Sequence, residues 1–86
     1  MNIFKKSLYK KELKKAIATI KQTLVEKEVD ILRLNVIYTN TVDRGAEENL
    51  VEQCRKNIEV QANNVSILRK QLAVLTEELY YYDGNE

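Results

Sequence analysis

The side chains that could carry chemistry in this chain are one cysteine, five tyrosines and 13 acidic residues, because the sequence contains no histidine. Histidine is the commonest general base and metal ligand, so its absence removes both roles. Cys54 falls where helix packing requires a small apolar residue, and we interpret it as structural. Neighbouring residues on a helix point about 100° apart, so neither Glu47–Glu48 nor Glu77–Glu78 converges on a substrate. The sequence therefore predicts no catalytic residue, no metal site, no cofactor and no enzymatic activity.

Lysines concentrated near the start of the chain are candidate ligands for phosphate groups. They give residues 1–22 a charge of +6, whereas residues 45–86 carry −4 and the whole chain only +1. A basic segment interleaved with Phe4 and Tyr9 could bind nucleic acid by ion pairing and base stacking. The alternative, favoured by the small net charge, is that the lysines pair with an acidic helix end in an antiparallel arrangement. The candidate anion-binding residues are Lys5, Lys6, Lys10, Lys11, Lys14, Lys15 and Lys21.

Two seams of apolar residues, each spaced alternately by three and four, indicate two long helices that pack by knobs into holes. Lys27 and Gln61 are the polar interruptions, and they either fix the register or lie at the edge of the contact. The first seam comprises Leu13, Ile17, Ile20, Leu24, Lys27, Ile31, Leu34 and Tyr38. The second comprises Val51, Cys54, Ile58, Gln61, Val65, Leu68, Leu72, Leu75, Leu79 and Tyr82.

The break between the seams contains Gly45, and the sequence has no proline and one other glycine. We therefore predict one all-α domain over residues 1–86, an antiparallel, coiled-coil-like hairpin. Its first helix covers about 4–40, the turn 41–45, the second helix 46–82 and a short tail 83–86. Thr41 and Asp43 are the expected N-caps of the second helix. With the turn centred near residue 43, we expect Ile20 to face the Val65 region.

Each helix carries a second apolar row that a two-helix hairpin cannot bury. We call Val25, Val29, Leu32 and Val36 the α1 row, and Val60, Ile67, Val74 and Tyr81 the α2 row. Rows of this kind are typical of helices that touch two neighbours in a bundle. We therefore predict a four-helix bundle formed by dimerisation, with a different helical protein as the alternative partner, and a partner interface made of these eight residues.

Three successive tyrosines, Tyr80–Tyr82, cannot all face one core. One ring should join the seam, and the others should be exposed, meet a partner, or cover the mouth of the hairpin near Ile3 and Phe4. The spacing of Tyr82 and Glu86 is similar to the Tyr-x-x-x-Asp/Glu signal of WXG-type secreted helical hairpins. However, the chain lacks tryptophan and its turn reads Asp43-Arg-Gly45, so it is assigned to no family.

Location follows from hydropathy, because no apolar run approaches the roughly 20 residues that span a bilayer. The first eight residues carry lysines but no apolar stretch after them, so we expect no signal peptide and a cytoplasmic protein. Secretion without a leader stays open. The leading functional hypothesis is a non-catalytic protein–protein interaction module of the adaptor, chaperone or inhibitor type. A nucleic-acid-binding hairpin and a leaderless secreted hairpin are the alternatives.

Overall fold

The computed structural model describes residues 3–84, which form two α-helices. Helix α1 comprises Ile3–Asp43 and helix α2 comprises Glu48–Gly84. They pack along their length into a rod of 63 × 16 × 14 Å. Tyr9 near the start of α1 contacts Tyr82 near the end of α2, so the helices are antiparallel. The predicted all-α helical hairpin is confirmed.

Helix α1 ends in a Schellman motif centred on Gly45. The Gly45 amide donates to the Val42 carbonyl at 3.0 Å, and the Ala46 amide donates to the Thr41 carbonyl at 3.2 Å. This pair of bonds requires a residue in the left-handed backbone conformation directly after the last turn of the helix. Gly45 has this conformation, with φ +68°. Glycine adopts that conformation without the steric cost of a Cβ atom.

The helix bounds differ from the predicted ones because Thr41 and Asp43 belong to α1. The Thr41 hydroxyl donates to the Ile37 carbonyl at 2.7 Å, one turn back in the same helix, so it does not cap α2. The Glu47 carbonyl accepts hydrogen bonds from the Leu50 and Val51 amides, so Glu47 is the N-cap residue of α2. The prediction of Thr41 and Asp43 as N-caps was wrong. At the other end, α2 includes Asp83 and Gly84, which were expected to form a tail.

The later turn changes which residues face each other. Tyr9 reaches Glu78 on one side of the rod, and Glu28 reaches Arg69 on the other. In an antiparallel pair, the numbers of two residues at the same level add to a constant. The value midway between these two contacts places Ile20 level with Leu72, and not with Val65. The predicted register was therefore wrong by seven residues of α2. A shift of seven conserves the heptad, so the same two seams still meet.

The core is a single narrow layer between the two seams. Of the described residues, Leu13, Ile17, Leu24 and Val65 are buried, and the remaining seam positions are partly buried. Both predicted seams therefore face each other along the whole hairpin. Two helices in contact bury only the faces that they turn toward each other, so the backs of both helices are exposed.

Candidate helix-docking surfaces

The register defines two long sides of the rod that flank the seam, and they differ in chemistry. Each is identified by a contact between the two helices and by the seven-residue repeat. The charged flank, identified by Glu28–Arg69, comprises Ser7, Lys14, Lys21, Glu28, Asn35 and Val42 of α1 and Arg55, Ala62, Arg69, Thr76 and Asp83 of α2. The amide flank, identified by Tyr9–Glu78, comprises Tyr9, Ala16, Thr23, Asp30 and Ile37 of α1 and Leu50, Asn57, Asn64, Gln71 and Glu78 of α2.

Ion pairs between the helices mark the charged flank. Arg69 Nη2 lies 2.8 Å from Glu28 Oε1, and Lys10 Nζ lies 2.7 Å from Asp83 Oδ1 at the flank's end. The hydrogen bond from Lys10, and then the charges of Lys10 and Lys14, lower the pKa of Asp83 below its ordinary value. Its charged side chains would lose water if the flank were covered, so covering it costs more than covering a flank of neutral residues.

The amide flank carries few charges, and those have partners within the hairpin. Glu78 accepts a hydrogen bond from the Tyr9 hydroxyl at 3.0 Å, and Asp30 lies 4.0 Å from Arg33. The hydrogen bond to Glu78 is the largest cause of the raised pKa of Tyr9. The other positions are apolar, small or neutral and polar, a composition that can leave water at low electrostatic cost.

The eight predicted interface residues are all exposed, with between 54 and 68% of their surface accessible. The structure does not bring them together on one surface. Val60 lines a cleft with Asp30 and Asn57, and Val74 lines another with Ile20 and Gln71, so the α2 row borders the amide flank.

The α1 row lies on the opposite side. Leu32 and Val36 line a shallow depression with Asn35 and Thr39, formed by α1 residues alone on the back of that helix. One docking partner lying along a flank therefore cannot cover both rows. The eight residues form two candidate surfaces, where the sequence reasoning treated them as one.

Sequence reasoning missed the amides that complete the α2 row. Asn57, Asn64 and Gln71 fall between its apolar members at the same three-and-four spacing, and Gln53 donates a hydrogen bond to Asn57 at 3.0 Å along this line. From Asn57 to Val74 they form a second row of α2, in which amide and apolar residues alternate. The signal was present in the spacing, but a search for apolar residues alone does not detect it.

The three tyrosines have separate environments. The Tyr82 ring joins the seam and meets the Tyr9 ring edge to face, with centroids 5.0 Å apart, and Lys6 Nζ lies 5.9 Å from the Tyr82 centroid. Tyr80 and Tyr81 are exposed, as expected for two of the three rings. Ile3 and Phe4 are also exposed, at 89 and 72%, so Tyr80–Tyr82 do not cover the mouth of the hairpin near these two residues.

The seven lysines do not share one environment. Lys10 is paired with Asp83 and has only 15% of its side chain exposed, and Lys15 lies 3.5 Å from Glu12. Lys6 lies over Tyr82, and Lys5 has interactions of its own. The exposed lysines Lys11, Lys14, Lys15 and Lys21 fall within an arc of about 120° that covers the α1 side of the charged flank and part of the back of α1.

The polar interruptions of the seams are both partly buried. Gln61 Oε1 is buried without a hydrogen-bond donor among the described residues. It lies in the cleft that contains Asn57 and Val60, on the side of the amide flank.

Cys54 lies in the seam, where its thiol is 3.9 Å from the Thr41 hydroxyl. Within residues 3–84, no group of three or more carboxylates and thiols is arranged to hold a metal ion. Over the same residues, neither helix combines the length and the apolar content needed to cross a membrane. The Tyr82–Glu86 spacing cannot be placed, because Glu86 lies outside the described residues.

Comparison of the chain with models of protein families, with curated proteins and with solved structures gave no match. The functional interpretation therefore depends on the surfaces described above.

Proposed function

We propose that this chain is a non-catalytic protein–protein interaction module that works by covering an apolar helical face of another chain. The observation that carries the proposal is the exposure of both apolar rows, which run along the hairpin in addition to the seam. A second copy is the leading partner, giving a four-helix bundle, and a different helical protein is the alternative. An adaptor, chaperone or inhibitor acting in the cytoplasm fits this mode of binding.

Energetics support the proposal, because burial of apolar surface contributes about 25 cal/mol per Å². Each buried valine or isoleucine side chain is worth roughly 1.5–3 kcal/mol, while a chain of this size is only marginally stable alone. The chain has one cysteine and no histidine, so neither an internal disulfide nor a zinc site supplements its core. A partner helix supplies the burial that the single seam lacks.

The test replaces Ile67 and Val74 together by Glu and follows assembly by sedimentation and by capture of the tagged chain from its host. Both side chains are more than half exposed, so the circular-dichroism helix signal should persist while binding to a second copy or to another helical protein is lost. The matched control is Lys11→Glu with Lys21→Glu, two exposed changes away from the α2 row. Retention of every partner by the Ile67/Val74 variant, or a folded wild type that binds nothing, contradicts the proposal.

A nucleic-acid-binding hairpin is the second candidate, favoured by the arc of Lys11, Lys14, Lys15 and Lys21. Phosphate contacts by these four lysines would make the logarithm of the binding constant fall with the logarithm of salt concentration at a slope of about −3 to −4. Affinity for single- and double-stranded nucleic acid should be measured at two salt concentrations. Weak binding without a salt slope would end this candidate.

A leaderless secreted hairpin is the third candidate, suggested by the spacing of Tyr82 and Glu86. Secretion and an interaction function are compatible, because neither Tyr82 nor Glu86 belongs to the two apolar rows on which the interaction proposal depends. Tyr82→Ala would also remove the packing of Tyr82 against Tyr9, so it does not test secretion alone. Glu86→Gln is the better variant. Its effect on the amount of protein in the medium distinguishes secretion from an intracellular role.

A further inference from the structure

The α2 residues along the amide flank are arranged symmetrically about Ile67. Val60 and Val74 lie seven residues before and after it, and Gln53 and Tyr81 lie fourteen residues before and after. Asn64 and Gln71 are three and four residues away. From Val60 to Val74 the helix presents the same side-chain types in both directions, valine, amide, isoleucine, amide and valine, as an isologous contact across a two-fold axis requires.

The charges beside this row are complementary under the same symmetry. Lys56 lies eleven residues before Ile67 and Glu77 lies ten residues after it, and both are exposed on the outer edge of the row. When two copies of α2 run antiparallel with Ile67 at the centre, Lys56 of each copy lies beside Glu77 of the other. Two such ion pairs form, and like charges do not meet at these positions.

The α1 side of the amide flank allows close approach. Ala16 and Thr23, both partly buried, lie on the same flank as Gln71 and Asn64. Small residues at a helix interface let two backbones come together, and they leave room for the valine and isoleucine side chains of the second copy.

From this pattern we propose that two copies of the chain dimerise through their amide flanks, with the two α2 helices antiparallel and crossing at Ile67. The inference rests on the proposed interaction function and names its partner and surface. From Leu50 to Tyr81 the contact extends about 46 Å at 1.5 Å per residue. With the 16 Å width of the rod, it covers about 700 Å² on each copy, close to the roughly 800 Å² of a specific interface.

The α1 row stays outside this dimer, on the backs of the two α1 helices. Its residues therefore provide a matched control of similar exposure and chemistry. Leu32 has 68% of its surface exposed and Ile67 has 54%, so Glu at either position is compatible with the folded hairpin.

The first experiment measures the dimer dissociation constant by sedimentation equilibrium for the full chain. Ile67→Glu places two carboxylates at the two-fold axis and should weaken dimerisation roughly 100-fold or more. Leu32→Glu should change it by less than about threefold. A monomeric wild type, or equal weakening by both variants, overturns the proposal.

Charge reversal gives an independent test at exposed positions. Lys56→Glu and Glu77→Lys should each weaken the dimer by about tenfold, and the double variant should restore most of that loss because opposite charges meet again. Two weakened single variants without recovery in the double variant would contradict the antiparallel register.

Cysteine cross-linking in a Cys54→Ala background determines the direction of the helices. Ile67→Cys should form a disulfide-linked dimer under mild oxidation. Val60→Cys should cross-link with Val74→Cys in a mixture, and neither should cross-link well with itself. Self-linking of Val60→Cys indicates parallel helices and overturns the proposal.

The outcomes separate this inference from the proposed function. If the wild type is monomeric but binds a different helical protein that the Ile67→Glu variant fails to bind, the second-copy inference fails and the interaction module stands. If it binds neither, both fail.

Discussion

At the residue scale, polar side chains join the two ends of the hairpin. Lys10, Tyr9 and Lys6 of α1 meet Asp83, Glu78 and Tyr82 of α2 through an ion pair, a hydrogen bond and a cation–π contact. These contacts offset an unfavourable layout, because lysines near a helix start and carboxylates near a helix end both oppose the helix dipoles. The antiparallel arrangement brings those opposing charges together.

The Lys10–Asp83 pair makes the hairpin end sensitive to acid. Because Lys10 lowers the pKa of Asp83 below its ordinary value of 3.8, the contribution of the pair is fully present above that value. It is lost as the pH falls through the lower folded pKa. Asp83→Asn should therefore lower the midpoint of thermal unfolding slightly at neutral pH and not at a pH below the folded pKa of Asp83.

The control for this prediction is Asp43→Asn, a carboxyl group at the opposite end of the rod. A difference between wild type and Asp83→Asn that persists unchanged in strong acid would show that the pair does not stabilise the fold through the ionised carboxylate.

At the scale of the elements, the Schellman motif at Gly45 determines where α1 ends, and thereby which residues of the two helices are level. The motif adds three residues to α1 relative to the predicted end at residue 40. Because α2 must then start later, each residue of α1 moves past its predicted partner on α2. The repeat of the seams permits a shift of seven residues, so the packing remains apolar in the new register.

Gly45→Ala should lower the free energy of unfolding by about 1 kcal/mol, because a Cβ atom is strained at positive φ. The space around Gly45 is open, with no atom within 4 Å of the added Cβ, so the loss comes from the backbone and not from a clash. Denaturant unfolding monitored by helix content measures it at fixed protein concentration. Gly45→Asn, which tolerates the left-handed conformation better, should lose less. An alanine variant as stable as the wild type would contradict this account.

At the scale of the whole molecule, the hairpin has two unlike flanks and two apolar rows that lie on different sides. The charged flank carries the ion pair of Glu28 with Arg69 and further exposed lysines, and it suits water. The amide flank and the α2 row suit a second helix, and the α1 row suits a separate contact on the back of the rod. Under the proposed interaction function, one of these surfaces would assemble the protein while the other binds a target.

The sequence by itself predicted the helices, their antiparallel packing and the two seams, because apolar residues spaced by three and four form a stripe along a helix and the chain has one central break, at Gly45, where the second helix can turn back. It also identified the exposed rows, since one neighbouring helix can cover only one stripe along the surface of a helix. It did not give the end of α1, because Thr41 and Asp43 suit a helix interior with side-chain bonds as well as an N-cap.

Only the tertiary structure decided the relation between the two rows. Spacing along one helix gives the angle of a row relative to its own seam, but not the side of the hairpin on which that row falls after pairing. That side depends on the direction of the second helix and on the register, which Gly45 and the contacts Tyr9–Glu78 and Glu28–Arg69 establish. The same pairing placed Asn57, Asn64 and Gln71 beside the valines of the α2 row and made one surface of them.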